Sequence, residues 1–196
     1  MQKKPETVPT PQPAPAPTAA PSAAFASDVA AMRSRARAGM GRGAVTDDYG
    51  VAPQLVVQML NEALATEIVC YLRYKRHYFV ASGIKAKVAA SEFLEHANQE
   101  QAHADMLAKR IVELGGEPNF DPRGIELRSH AEYVEGKDLK EMIEGNLIAE
   151  RVAIESYRAM IEWLAGRDPT TRRLLEEILS VEEEHADDMH SLLKGI

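Results

Sequence analysis

Six residues of this chain combine side-chain type and spacing in a way that points to metal chemistry. Two are Glu-x-x-His pairs, Glu100/His103 and Glu182/His185, and two are single glutamates, Glu67 and Glu150. Residues three apart lie on one helix face, so each pair presents a carboxylate and an imidazole together. With 21 glutamates and six histidines in 196 residues, about 0.6 such pairs are expected from composition, so the pairs alone carry little. Their order carries more. Glu67 precedes Glu100 by 33 residues, and Glu150 precedes Glu182 by 32. The flanks repeat as well: Leu-Ala-Thr-Glu-Ile-Val around Glu67 is followed by Tyr74, seven residues after the Glu, and Leu-Ile-Ala-Glu-Arg-Val around Glu150 by Tyr157, again seven after. The chain reads as one helical hairpin used twice.

All six sit in apolar company. Glu67 shares a helical stripe with Leu60, Leu64, Tyr71 and Tyr74; Glu100 and His103 share theirs with Phe93, Ala97, Leu107 and Leu114. Glu150 lies among Ile143, Leu147, Ile154, Tyr157 and Ile161, and Glu182 and His185 among Leu175, Ile178, Met189 and Leu192. Ionised carboxylates in such surroundings are costly unless paired or metal-bound, and four at one level repel each other strongly. Two divalent cations cancel a charge of four carboxylates, and two neutral imidazoles complete the coordination without adding charge. A carboxylate and imidazole set without thiolates suits iron, with manganese as the other candidate, and not structural zinc.

The elements that must position these residues are helices. Apolar residues recur at helical spacing from Pro53 to about Ser82, from about Lys85 to Leu114, from about Asp138 to Gly166, and from Asp168-Pro169 to about Lys194. Asp138 with Glu141 three residues on, and Asp168 before Pro169, are N-terminal caps; Ser82-Gly83, Gly115-Gly116 and Gly166 are stops. No segment alternates with period two, so the fold class is all-α. Short links within the first and second pairs force antiparallel hairpins. The connection from Glu117 to Lys137 is long enough to return along the bundle, with a short helix expected around Ser129 to Val134.

Before this body lies a different kind of sequence. Seven of the 11 prolines fall in the first 21 residues, among Ala, Thr and Ser, so residues 1–45 read as a disordered tail and residues 46–196 as the domain. The tail carries a net charge of +4, with Arg33, Arg35, Arg37 and Arg42 close together, and the body −11. An acidic body does not attract nucleic acid; a basic arm offers a route to DNA. No apolar run approaches the ~20 residues of a bilayer span and no hydrophobic segment follows Lys3 and Lys4, so a cytoplasmic, membrane-free protein is expected. The single cysteine, Cys70, excludes intrachain disulfides and CxxC modules, and reads as a small buried hydrophobe. His77, His130 and His190 read as surface or packing residues; His96, one turn before Glu100, is placed to support the constellation from outside it.

From about residue 53 to 194 the sequence resembles the ferritin-like di-iron superfamily, in its bacterioferritin and Dps-like branch. The resemblance rests on Leu60-Asn61-Glu62-Ala63-Leu64-Ala65-Thr66-Glu67, on Glu100-Gln101-Ala102-His103-Ala104-Asp105 and on Glu182-Glu183-Glu184-His185. It implies an antiparallel four-helix bundle with a long crossover between its second and third helices. It also implies a ferroxidase centre with Glu67 and Glu150 as terminal ligands, Glu100 and Glu182 as bridges, one metal on His103 and the other on His185, and Tyr74 beside it. Tyr157 takes the matching place by the internal repeat. Gln101 stands where bacterioferritins carry the haem-binding methionine, so haem is not implied. Eleven residues follow His185, too few for the fifth helix of 24-subunit shells, and a homo-oligomer of 12 is the expectation.

The expected function is oxidation of Fe(II) to Fe(III) by O2 or H2O2 at two iron ions per subunit, for iron storage or detoxification within an oligomeric shell. The alternatives are a Dps-like DNA-binding and peroxide-protection protein, and another di-metal enzyme on the same bundle: a manganese catalase, a rubrerythrin-like peroxidase or a quinone hydroxylase.

Overall fold

The computed structural model describes residues 28–84 and 86–196. Among them are six helices and no strand: α1 (Val29–Ala38), α2 (Pro53–Val80), α3 (Ala86–Glu113), α4 (Ile125–Arg128), α5 (Leu139–Leu164) and α6 (Pro169–Gly195). Four of these form two hairpins, α2 along α3 and α5 along α6, and the hairpins meet through α2 with α5 and α3 with α6. This is the all-α four-helix architecture expected from the spacing.

The helix ends follow local chemistry. Asp138 accepts from Glu141 N at 2.9 Å while Glu141 Oε2 reaches back to Lys137 N at 3.0 Å, so orphan amides at the start of α5 are satisfied by side chains. Asp168 caps α6 through Thr171 N at 3.0 Å, with Pro169 in the first turn. At the end of α3, Gly115 takes φ +78° and Gly116 N bonds Ile111 O at 2.9 Å, a Schellman closure. Gly136 is required twice over: it has φ +65°, and a Cβ there would lie 2.7 Å from Met142 Cγ.

The core is divided by level. One cluster joins Val56, Leu60, Leu64, Leu107, Ile111, Tyr157, Leu164, Leu175 and Ile178. The other joins Tyr74, Ala89, Phe93, Ala97, Met142, Ile143 and Met189. The chemistry-bearing residues fall between these two apolar plugs. α2 is long and apolar enough to cross a membrane by length and composition, with a mean hydropathy of 1.4 over 18 residues, but half of that window is buried inside the bundle. Its apolar character is that of a core helix.

The crossover after α3 differs in detail from the sequence expectation. Its short helix is Ile125–Arg128, not Ser129 to Val134, because Gly124 at φ +71° turns the chain early and Ser129 then takes extended backbone. The stretch that follows is fastened along α2. Thr66 Oγ1 accepts from His130 N at 2.9 Å, Arg73 donates to Glu132 O at 2.9 Å, and His77 Nε2 donates to Val134 O at 3.1 Å and Glu135 O at 3.0 Å. Arg73 also donates to Asn146 Oδ1 at 2.8 Å, so one fully buried guanidinium ties crossover, α2 and α5. His77 is fully buried, and burial followed by the charge of Arg73 lowers its pKa to about 4. Cys70 is a buried free thiol, as expected.

Within the stretch read as a disordered tail, residues 29–38 form α1, with Asp28 Oδ1 accepting from Ala31 N at 3.0 Å. Its Ala, Arg and Met content favours helix, and it buries none of its residues. The Pro-rich residues 1–27 lie outside the described residues. Val45, the last residue of the stretch read as tail, packs with Tyr49 and Val51 against the first apolar cluster.

At the α5–α6 turn, Arg110 Nε donates to Thr171 Oγ1 at 2.8 Å, its second amine donates to Tyr49 Oη at 3.0 Å and Asp168 Oδ1 at 3.3 Å, and Tyr49 donates to Asp168. Asp168 thus caps α6 and neutralises a buried arginine. Asp168→Ala removes both roles and should cost about 2 to 4 kcal/mol in chemical denaturation, whereas Arg123→Ala, which breaks the exposed pair with Asp121, should leave the denaturation midpoint unchanged.

Candidate metal centre

The structure brings all six sequence-selected residues to one place. Glu67 comes from α2, Glu100 and His103 from α3, Glu150 from α5, and Glu182 and His185 from α6, each no more than 5% exposed. They form two overlapping quartets. Glu67, Glu100, His103 and Glu182 bring one ligand atom each within 4.8 Å of one another, and so do Glu100, Glu150, Glu182 and His185.

The sharing is atomic. His103 Nδ1 lies 2.8 Å from Glu182 Oε1, 3.3 Å from Glu67 Oε2 and 3.7 Å from Glu100 Oε2. His185 Nδ1 lies 3.4 Å from Glu182 Oε2, 3.6 Å from Glu100 Oε1 and 3.9 Å from Glu150 Oε2. Glu100 and Glu182 therefore each turn one oxygen to either quartet. Atoms bound to a common cation at 2.0–2.2 Å, with angles of 90–110°, lie about 2.8 to 3.6 Å apart; four of the six distances fall in that range, and those to Glu100 Oε2 and Glu150 Oε2 are slightly longer. Seven buried atoms of these residues have no hydrogen-bond partner: Glu67 Oε2, Glu100 Oε1, His103 Nδ1, Glu150 Oε2, both oxygens of Glu182, and His185 Nδ1. Orphaned buried polar atoms are rare. Seven converging on two points fit two cations.

The remaining atoms of these side chains are held from behind. Tyr157 donates to Glu67 Oε1 and Tyr74 donates to Glu150 Oε1, so each tyrosine leaves the other oxygen of its carboxylate free. Burial, then the facing carboxylates, hold both phenols well above their ordinary pKa, so they stay neutral donors. Gln99 Oε1 accepts from His185 Nε2 at 2.8 Å, which fixes the tautomer with its lone pair on Nδ1. His96 stacks on His185 with ring centroids 3.9 Å apart and approaches Tyr74 Oη with Nδ1 at 3.2 Å.

Sequence reasoning flagged His96 but missed Gln99 and Asp188, which meets His96 Nε2 at 3.3 Å. Their spacing was a usable signal: Gln99 adjoins Glu100, and Asp188 follows His185 by three residues. His130 and His190 stay apart from the centre; His130 Nδ1 pairs with Ser156 Oγ at 3.0 Å, and His190 is exposed.

Protons do in the metal-free centre what cations can do. Burial, and then the charge of Glu100, raises Glu67 to about 8; burial, then Glu100 and Glu182, holds Glu150 well above the carboxylate range. Burial pulls the two imidazoles down, but the carboxylates around them prevail and raise His103 to about 12 and His185 to about 11. Burial and Glu182 push Glu100 up, yet both imidazoles outweigh them and leave it below its ordinary value.

Comparison with known proteins places the chain in a family. Residues 57–196 match the model of the ferritin-like domain. The chain belongs to the ferritin-like family. It is 30% identical to a bacterioferritin of Mycobacterium avium over 144 residues, 71% of this chain and 84% of that one. It is 31% identical to the DNA protection during starvation protein of Pyrococcus furiosus over 150 residues, 74% of this chain and 80% of that one. Among solved structures it is similar to the bacterioferritin-related protein of Bacteroides fragilis, a dodecameric thioferritin, with a TM-score of 0.70 and 32% identity over 73% of this chain and 86% of that one.

The proton inventory gives a pH dependence with a definite sign. Glu67, raised to about 8, contributes stability that is full below 4.5 and lost as pH climbs toward 8. His103 and His185 contribute stability that is full below 6.5 and lost toward 12 and 11. His77 and His96, both lowered to about 4, act only below 6.5. The melting temperature of the metal-free protein in chelator should therefore fall from pH 6.5 to 8, and Zn2+ binding at pH 7 should release protons and tighten with rising pH. A melting temperature flat or rising over that window contradicts the assignment.

Proposed function

We propose that this chain is a ferroxidase: it binds two Fe(II) ions between its two hairpins and oxidises them with O2 or H2O2, for iron storage or detoxification. The observation that supports this best is the division of Glu100 and Glu182, each giving one oxygen to either quartet. The ions supply the redox chemistry: two Fe(II) give two electrons, which with two protons reduce O2 to H2O2, or H2O2 to two waters.

The chain's own groups do the rest. Four carboxylates neutralise the incoming charge, with Glu67 and Glu150 each serving one ion and Glu100 and Glu182 serving both. His103 and His185 supply neutral nitrogens and leave positions open for the oxidant. Tyr157 and Tyr74 keep the outer carboxylates turned inward. The two apolar plugs exclude bulk water from either side, which strengthens electrostatic contacts within. Manganese fits the same donors. The dodecameric neighbour supports a homo-oligomer of 12 subunits, and a cytoplasmic location is part of the same reading.

A second reading adds DNA. Arg33, Arg35 and Arg37 are exposed on α1, and one relative is named for DNA protection; Arg42 instead pairs with Asp47. A few phosphate contacts per arm bind weakly and with salt dependence, and many arms on one shell add avidity.

Anaerobic titration should place two Fe(II) per chain within the ring of six residues, and rapid mixing with O2 or H2O2 should then convert both to Fe(III). Glu100→Ala and Glu182→Ala should each impair both ions. Saturation at one ion or none contradicts the reading, and rapid H2O2 disproportionation by the manganese form without Fe(II) oxidation selects a catalase. For DNA, a gel shift by the full chain at low salt that vanishes without residues 1–45 supports the second reading; no shift at low salt removes it.

A further inference from the structure

A third group of potential ligands stands outside the centre. Glu92, His96 and Asp188 each bring one ligand atom within 4.8 Å of the others. They differ from the six central residues in exposure. The Asp188 side chain is 52% exposed and Glu92 is half-buried, while His96 is 1% exposed. Glu92 and Asp188 line a surface depression of about 500 Å3 between α3 and α6, rimmed by Ile84, Val88, Leu192 and Ile196. On its inner side, His96 is stacked on His185. The trio thus spans from open solvent to a ring in contact with one of the two quartets.

Hydrogen-bond direction adds a second, independent reason. The single Tyr74 hydroxyl proton is committed to Glu150 Oε1. Tyr74 Oη can then only accept from His96 Nδ1–H at 3.2 Å. A neutral imidazole that donates from Nδ1 carries its lone pair on Nε2, and Nε2 faces Asp188 Oδ2 at 3.3 Å. Two acceptors then confront each other, with the carboxylate of Glu92 alongside. A cation between them satisfies all three.

We propose that Glu92, His96 and Asp188 bind one divalent cation at the floor of this depression and pass it to the buried pair. The inference rests on the reading of the six central residues as a two-cation centre. The desolvation of an incoming ion is divided: water is exchanged first for two accessible carboxylates and one imidazole, and only then for the buried quartets between the apolar plugs.

The test uses the full-length chain and redox-inert metals. Equilibrium dialysis with Zn2+ should give three ions per chain for the wild type and two for Glu92→Gln/Asp188→Asn, whose changes lie at partly open positions. In stopped flow with Co2+, followed by its visible absorption, the double variant should fill the pair about tenfold more slowly while reaching the same two-ion endpoint. Two ions for the wild type, three for the variant, or equal filling rates overturn the proposal. Glu100→Gln/Glu182→Gln separates the two readings: one ion retained on that variant supports the outer site even if the central pair fails, and none retained counts against the outer site.

Discussion

Four carboxylates held at one level of an apolar bundle are the constraint from which the remaining features follow. Their mutual repulsion and their desolvation both oppose folding, and nothing in helix propensity offsets either. The structure meets the problem with imidazoles rather than lysines or arginines: His103 and His185 accept protons from water in the metal-free centre and can release them in exchange for a cation. The same choice explains the tyrosines. A neutral phenol behind Glu67 and another behind Glu150 satisfy one oxygen of each without importing a charge that competes with the metal. The apolar plugs above and below then make the level stiff enough for a fixed separation between the two quartets.

Much of this was legible in the sequence because it is periodic. Helix period and capping chemistry place α2, α3, α5 and α6 within about two residues of their observed ends, and the repeated spacing of Glu67 to Glu100 and Glu150 to Glu182 puts four helices in register. The six central residues were found as exceptions to an apolar stripe, the signal that a costly buried group leaves in a sequence.

What escaped is non-periodic. The crossover is held by Thr66, Arg73 and His77, whose partners are backbone groups between 57 and 64 residues away, and nothing local marks a helix arginine as one that will be buried against a loop. Gln99 and Asp188 escaped for a related reason. Polar residues one position off an apolar stripe look like solvated surface until the neighbouring helix is set beside them. α1 was missed because proline content dominates the reading of the tail, whereas the few residues after Asp28 have ordinary helix formers and a cap.

The account turns on two cations sharing Glu100 and Glu182, and anomalous diffraction from crystals of the full chain soaked anaerobically in Fe(II) or Mn2+ tests it most directly. The prediction is two peaks within the ring of six residues, about 3.5 to 4 Å apart, one beside His103 Nδ1 and the other beside His185 Nδ1, with both glutamates reaching both peaks. A single peak within the ring of six residues, or metal found only elsewhere on the chain, would contradict it.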